Sequence, residues 1–300
     1  MRRLRLGTRG SRLAMAQATI AVEALRAVGA ATSVELVTTE TRGDTLSRRR
    51  PGGSWVTGDG QFTSDLERRL ADGDVDLVVH SYKDLPTTSD PRLAVAAVLE
   101  RGDPADCLLT GTGAGLAELR FGARIGTSSA RRAAQLAPHR PDLVSVPIRG
   151  NVPSRIDRVR RGELDGVMLA VAGLERLGIR VPSGARLPFD VVLPAPAQGA
   201  LAIQVRRDDV ELVETVARAD HAATRLAVEA ERALLVAIGG GCLAPLGALA
   251  EVDGDEVRLR AAFETPTGAL HRADERGSAA EIEALVARVA AQVAPLVVSA

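Results

Sequence analysis

From Leu4 to Val205 the chain alternates short apolar runs with stretches of helical spacing, and that rhythm restricts it to few architectures. Strands are expected at Leu4–Leu6, Ser33–Thr38, Val75–His80, Arg92–Leu99, Cys107–Thr110, Arg124–Gly126, Leu143–Ile148, Gly166–Val171 and Gly199–Val205. Helices are expected after Ser11, with Leu13, Ile20, Ala24 and Val28 as the apolar stripe, and over Phe62–Leu70, Ser129–Ala137 and Val152–Arg161. Such alternation gives a mostly parallel sheet with helices on both faces. A break near residues 99–105 divides the pattern into two doubly wound α/β domains, 1–99 with 200–217 and 105–195, the strand near residue 200 returning to the first. From Asp220 the character changes. A helix with Leu226, Ala230, Ala233 and Ala237 on one face runs into Gly239-Gly240-Gly241-Cys242, followed by short strands at Leu246–Val252 and Val257–Phe263 and a last helix with Ile282, Leu285, Val289 and Val293. This is the expected small α+β domain, 222–300. Residues 40–60, with Arg48-Arg49-Arg50, lack periodicity and read as a loop that is functional or disordered.

Composition excludes several classes of function. With 38 basic and 38 acidic residues the formal net charge is zero. That argues against a general nucleic-acid or membrane-surface binder, so affinity for anions must come from local arginine clusters. Lys83 is the only lysine. Either arginine is favoured throughout, or Lys83 has a role that a guanidinium cannot fill. The two cysteines, Cys107 and Cys242, form no CxxC pair and no zinc-ligand spacing with histidine, so no metal site is expected. Sparse cysteine use fits a reducing compartment. The basic start Met1-Arg2-Arg3-Leu4-Arg5 leads into no signal-peptide core, and no stretch is long and apolar enough to span a bilayer. A cytoplasmic location is the expectation.

The polar motifs fall at the carboxyl ends of the expected strands, where open α/β sheets bind ligands. Arg9 and Ser11 follow the first strand. Ser81, Lys83 and Asp84 follow the strand ending at His80. Thr127, Ser129, Arg131 and Arg132 follow Gly126; Arg149, Gly150 and Arg155 follow Ile148; Arg176 follows the strand near Val171. Helix N-termini offer free N–H groups, hydroxyls allow close approach, and arginines bind carboxylates bidentately. Each piece also has a plainer reading. Ser11 and Ser129 fit helix N-caps, paired arginines fit a solvated face, and His80 fits a core position. Lys83-Asp84 reads equally as a structural ion pair or as a carboxylate kept ionised to stabilise a cationic intermediate. Cys242, on its glycine-rich turn, is either an accessible thiol or a small apolar filler; Cys107 reads as core.

Taken together, these motifs resemble the hydroxymethylbilane synthase, or porphobilinogen deaminase, family. The matching residues follow the family's order along nearly the whole chain: Gly7-Thr8-Arg9-Gly10-Ser11, Thr41-Arg42-Gly43-Asp44, His80-Ser81-Tyr82-Lys83-Asp84-Leu85-Pro86 and Arg101-Gly102-Asp103-Pro104-Ala105-Asp106. They continue with Gly126-Thr127-Ser128-Ser129-Ala130-Arg131-Arg132, Arg149-Gly150-Asn151-Val152, Leu169-Ala170-Val171-Ala172-Gly173-Leu174, Leu193-Pro194-Ala195-Pro196-Ala197-Gln198-Gly199-Ala200 and the Gly241-Cys242 loop with Pro245.

The resemblance implies two periplasmic-binding-protein-like domains plus the small third domain. It also implies a dipyrromethane cofactor joined by a thioether to Cys242. Four porphobilinogen molecules would be deaminated and added head to tail, and hydroxymethylbilane released. Asp84 would be catalytic, offsetting the positive charge that develops. Lys83, Thr127, Ser129, Arg131, Arg132, Arg149 and Gly150 would bind the cofactor; Arg9, Ser11, Ser81, Arg155 and Arg176 would bind substrate or the growing chain. The family resemblance favours a monomer, with the product passed to uroporphyrinogen-III synthase. The chain departs from the family pattern at Trp55 and Asp59, where lysines are common in the loop, at Leu243, often polar, and at Ala197, often glycine. A small-anion binding module on the same fold leaves Cys242 and Asp84 without a role. A pyridoxal-phosphate enzyme built on Lys83 lacks an identifiable phosphate cup. An inactive relative of the synthase is the remaining alternative.

Overall fold

The structure is a computed structural model and describes residues 3–31, 33–39, 64–88, 90–241 and 243–294. The first half of the chain runs through β1 (Arg3–Arg9), α1 (Arg12–Ala27), β2 (Ser33–Thr39), α2 (Ser64–Ala71), β3 (Leu77–Ser81), β4 (Leu93–Val98), β5 (Asp106–Thr110), β6 (Arg124–Gly126), α3 (Ala130–Leu136) and β7 (Val144–Val146). It continues through α4 (Val152–Arg160), β8 (Gly166–Ala170), α5 (Val171–Glu175), β9 (Leu201–Arg206), α6 (Val210–Ala217) and α7 (Ala222–Ala237). The last elements are β10 (Leu246–Asp253), β11 (Glu256–Glu264), β12 (Leu270–Ser278) and α8 (Ile282–Val293). The motif Thr41–Asp44 and the loop at 47–60 lie outside the described residues, as does Cys242. The chain divides into two compact units, Met1–Gly102 with Ala200–Arg225, and Asp103–Gly199 with Leu226–Ala300.

The first unit is built on a five-stranded sheet in the order β2-β1-β3-β9-β4. β1 pairs in parallel with β2 and β3, whereas β9 runs antiparallel to both β3 and β4. The strand near residue 200 does return to this sheet, inserted against the direction of the other four. Side-chain alternation sends the two faces to different helices. Leu77 and Val79 of β3 join Leu4, Leu6, Leu25, Leu212 and Val216 in one cluster that takes in α1 and α6. Val78 points the other way, to Leu66 and Leu70 of α2.

The second unit carries two sheets. One has four strands in the order β5-β8-β6-β7, with β5 antiparallel and the rest parallel. Val167 and Leu169 of β8 face the cluster with Val159 and Leu174 of α4 and α5, while Met168 faces Leu136 of α3. The other sheet is an antiparallel β10-β11-β12 meander. One of its faces packs on α7 and α8 through Leu234, Leu246, Leu259, Leu285 and Val289. The other meets Leu193 through Leu249 and Ala262. Gly247 makes this approach possible, because a Cβ there would lie 2.8 Å from Leu193 Cβ and 2.9 Å from its carbonyl oxygen.

Two helical stripes differ from expectation by about one position. The buried side of α1 is Ala14, Gln17, Ala18, Ala21, Val22 and Leu25. Leu13, Ile20, Ala24 and Val28 flank it, half-buried. On α7 the buried residues include Ala227, Ala230, Leu234 and Leu235, whereas Ala233 and Ala237 are exposed. In α1 the face nearest the sheet is chosen by small size, which lets helix and strand approach closely. Strand β12 was not among the expected elements.

Candidate active site

In the first unit the site residues sit at the ends of β1 and β3. β1 ends at Arg9, and Ser11 caps α1 by accepting the Ala14 N–H at 3.2 Å. Thr8, buried behind them, donates its hydroxyl to the Ala14 carbonyl at 3.2 Å. β3 ends at Ser81, whose hydroxyl accepts from Gln17 Nε2 at 2.8 Å, so α1 fixes the exit of β3. The chain then makes a single tight 3-10 turn, Tyr82–Asp84, secured by Tyr82 N–H to Ala200 and by Leu85 N–H back to Tyr82. Lys83 and Asp84 are half-buried on this turn. Among the described residues, no hydrogen bond or ion pair engages the Asp84 carboxylate, so the ion-pair alternative with Lys83 is not realised. The carboxylate is available.

His80 is different. It is buried, and its Nε2 meets Gln204 Oε1 at 3.1 Å, with Gln204 Nε2 donating to Glu67 at 3.0 Å. Burial lowers its pKa to about 4, more than the Gln204 bond raises it, so it stays neutral at ordinary pH. It is a partnered core residue.

In the second unit the site residues follow β6, β7 and β8. Ser129 caps α3, and the Thr127 hydroxyl accepts the Ser129 N–H at 3.1 Å. Arg131 and Arg132, on the first turn of α3, are both buried against Asp106. The solvated-face reading therefore fails for this pair. Arg149 is exposed at the entry to the next helix. Asn151 caps α4 by accepting the Ser154 N–H at 3.0 Å. Gly150 has φ +107, and an added Cβ would lie 2.3 Å from Ser154 Oγ, so only glycine suits this turn. Its carbonyl accepts from Arg155 Nε at 2.8 Å. Arg176 donates to the Gly199 carbonyl.

The electrostatics of this group are unbalanced. Burial pushes Asp106 up, but the attraction of Arg131 and Arg132 outweighs it and holds the carboxyl well below its usual range. Burial lowers Arg155 to about 10, and the nearby Arg132 charge adds to this. Burial likewise lowers Arg176 to about 10, with Glu175 acting in the opposite direction. Arg131 is lowered by burial despite Asp106. Three guanidiniums, of Arg131, Arg132 and Arg155, thus share a poorly solvated region in which the Asp106 carboxylate is the paired anion. Such an excess of cations is costly unless an anion joins it.

Asp106 and Gln198, which the sequence motifs contain without assigning them a role, are tied together. Gln198 Nε2 donates to Asp106 at 2.9 Å and to the Pro104 carbonyl at 2.8 Å. An aspartate opening an otherwise apolar strand, Cys107-Leu108-Leu109, was the available signal. Cys107 itself is fully buried, and burial first, then the Asp106 charge, pushes its thiol up to about 12. It is unreactive core.

Cys242 lies outside the described residues, but its flanks are defined. Past the end of α7, Gly240 N–H returns to the Leu235 carbonyl at 3.0 Å, and Ala244 N–H bonds to Gly241 at 2.9 Å. Leu243 is exposed. Among the described residues no group of three or more His, Cys, Asp or Glu side chains is arranged to hold a metal, and no helix is long and apolar enough to cross a membrane.

Comparison with known proteins points one way. Residues 4–214 match the family model "Porphobilinogen deaminase, dipyromethane cofactor binding domain", and residues 225–294 match "Porphobilinogen deaminase, C-terminal domain". A porphobilinogen deaminase of Nocardia farcinica is 51% identical over 249 residues, covering 83% of this chain and 70% of its own length. One from Xanthomonas axonopodis pv. citri is 43% identical over 291 residues, covering 97% of this chain and 95% of its own. Among solved structures, a putative methionine-binding lipoprotein from Bacillus subtilis aligns at 14% identity over 72% of this chain and 89% of its own, with a TM-score of 0.44. The two family-model matches cover nearly the whole chain and the relatives agree with them: the chain belongs to the porphobilinogen deaminase family.

Proposed function

We propose that this enzyme deaminates porphobilinogen and joins four molecules of it head to tail on a dipyrromethane carried by Cys242, releasing hydroxymethylbilane for tetrapyrrole synthesis. The observation that carries the reading is the surplus of guanidiniums around Asp106 in the second unit. A dipyrromethane bears several carboxylates and each added pyrrole brings more, so the donor set suits the group. When bound, the cofactor supplies the nucleophilic pyrrole carbon to which substrate is joined.

The roles of the chain's own residues follow from their surroundings. Asp84 offers a carboxylate with no partner among the described residues, able to hold pyrrole N–H groups and to offset the positive charge left as ammonia departs. It is also placed to move a proton. Lys83, Arg131, Arg132 and Arg149, with Thr127, Ser129 and the Gly150 turn, hold the cofactor's acetate and propionate groups. Arg9, Ser11, Ser81, Arg155 and Arg176 serve the substrate and growing chain. Arg155 and Arg176 each have only a backbone carbonyl as partner among the described residues, which leaves donors for a carboxylate. We place the reaction in the cytoplasm, in a monomer with domains 1–99 with 200–217, 105–195 and 222–300, its product passing to uroporphyrinogen-III synthase.

Intact-protein mass spectrometry of chain purified from cells that make porphobilinogen should show a dipyrromethane-sized adduct, located on Cys242 by peptide mapping. An unmodified chain would sink the proposal. Asp84→Asn should keep the fold, since no bond to the carboxylate is lost, and reduce turnover by on the order of a thousandfold. Retained turnover would remove Asp84 from its central place.

A further inference from the structure

A buried carboxylate of the second unit that accepts four hydrogen bonds has no place in the reaction as proposed. Asp106 opens β5 with no exposure to solvent. Its Oδ1 accepts from Arg132 Nη2 at 2.6 Å, from Arg132 Nε at 3.2 Å and from Gln198 Nε2 at 2.9 Å. Its Oδ2 accepts from Arg131 Nη1 at 2.7 Å.

The two arginines are held differently. Arg132 gives its remaining nitrogen, Nη1, to the Met168 carbonyl at 2.9 Å, so every nitrogen of that guanidinium is engaged. Arg131 uses Nη1 alone, which also donates to the Leu193 carbonyl at 2.5 Å. The Nε and Nη2 of Arg131 have no partner among the described residues. The Arg131 side chain is not completely enclosed, with 5% of its surface exposed. Nε and Nη2 form one edge of a planar guanidinium, and that edge accepts a carboxylate through two parallel bonds.

We propose that Asp106 is a positioning residue for cofactor capture: it anchors Arg131 through Nη1 and immobilises Arg132, so that the Nε–Nη2 edge of Arg131 is presented as a fixed fork for a carboxylate of the cofactor. The inference rests on the reading that the guanidiniums of this unit bind the cofactor. Gln198 completes the anchor. It donates to Asp106 Oδ1 and to the Pro104 carbonyl, which holds the carboxylate in one orientation.

Charge and positioning predict opposite signs. If Asp106 only balanced charge, Asp106→Asn would leave the region more cationic and capture of a polycarboxylate would improve. If Asp106 positions Arg131, capture falls although the attraction rises. The experiment measures adduct occupancy by intact mass in Asp106→Asn and unaltered chain, both made in cells that produce porphobilinogen, with thermal unfolding of each. Side-chain 15Nε–1Hε spectra are recorded on both chains made in cells without porphobilinogen. The expected result is at least a tenfold fall in occupancy with cooperative unfolding retained, and loss of the dispersed, slowly exchanging Arg132 signal, whose Nε bonds Asp106. Equal or higher occupancy overturns the proposal, as does an unchanged arginine spectrum. If Asp106→Asn does not unfold cooperatively, Asp106→Glu keeps the charge but moves it by one methylene, and at least a fivefold fall in occupancy is expected. Full occupancy of Asp106→Glu would then overturn the proposal. Failure of the underlying reading looks different, because the unaltered chain would itself carry no adduct.

Discussion

At the scale of single residues, Ala197 shows how a departure from the family is accommodated. It has φ +60, the left-handed region that disfavours a Cβ, yet it is fully buried. Its N–H is taken by the buried carboxylate of Glu231 at 2.6 Å, which also accepts the Ala250 N–H at 2.8 Å. The left-handed conformation costs an alanine roughly 1–2 kcal/mol. Glycine would relieve that but lose a buried methyl and gain unfolded-state freedom, together about the same size. Ala197→Gly should therefore shift stability by less than about 1 kcal/mol, whereas Ala197→Val, β-branched and larger, should cost more than about 2 kcal/mol. Urea midpoints check both. His80 carries a pH prediction. Its folded pKa of about 4 lies below the unfolded value of 6.5, so the ring is neutral in both states above 6.5 and contributes no pH dependence there. As pH falls from 6.5 towards 4 the unfolded chain takes a proton that the folded chain refuses, and stability drops by about 3 kcal/mol before levelling off. His80→Gln should flatten that part of the acid profile; an unchanged profile would contradict it. Residues such as His80 and Cys107 were legible in the sequence because burial follows from an apolar strand. The role of Asp106 was not, because its meaning depends on Arg131 and Arg132, some 25 positions away and reached only through the fold.

Secondary-structure elements were legible in kind more than in facing. The expected strands and helices of the two α/β sheets are present because alternation and capping are local properties. Ser11, Ser129 and Asn151 mark three helix starts by side chain alone. The stripe of α1 shifted because the sheet selects small residues there, and hydropathy favours larger ones; on α7 the reverse holds, the buried face taking Val228, Leu234 and Leu235 and leaving Ala233 and Ala237 exposed. β12 escaped notice because its sequence, Leu270-His271-Arg272-Ala273-Asp274-Glu275-Arg276-Gly277-Ser278, is mostly polar. Its open face is held by cross-strand ion pairs, Arg258 with Asp274 at 2.6 Å and Arg276 with Glu256 at 2.5 Å. Exposed pairs of this kind contribute little each, so the strand is secured mainly by its ladder to β11 and by α8. The facing of α7 yields a direct test. Ala233→Lys, on the exposed side, should change stability by less than about 0.5 kcal/mol. Ala230→Lys, only one turn away but buried, should cost more than about 3 kcal/mol or prevent folding. Equal effects at the two positions would mean that the helix is rotated from the orientation described.

At the scale of the whole molecule, the zero net charge conceals an uneven distribution. The sequence showed that anion affinity had to be local, and the strand-end arginines were legible for that reason. What it could not show is how far they exceed their counter-charges, since that requires knowing that most other arginines are paired, such as Arg5 with Asp76, Arg140 with Asp142 and Arg186 with Asp103. Among the described residues neither Arg155 nor Arg176 forms such an ion pair, and burial lowers both pKa values to about 10. A chain lacking its cofactor therefore carries partly buried positive charge that the folded state must tolerate and the unfolded state does not. Supplying carboxylates removes that penalty and adds charge-assisted hydrogen bonds, each worth about 1.5–3 kcal/mol. Two or three of them amount to several kcal/mol, or roughly 5–10 °C for a unit of this size. Chain from cells unable to make porphobilinogen should accordingly unfold roughly 5–10 °C below the adduct-bearing chain. The gain should be local. Hydrogen exchange should show added protection over 127–132 and 149–155 on cofactor loading, with little change in α8, whose core of Leu285, Val286, Val289 and Val293 is apolar and distant in composition from any charge. Coincident unfolding of the two forms, or protection spread evenly over the chain, would mean that the guanidinium surplus is already satisfied without the cofactor.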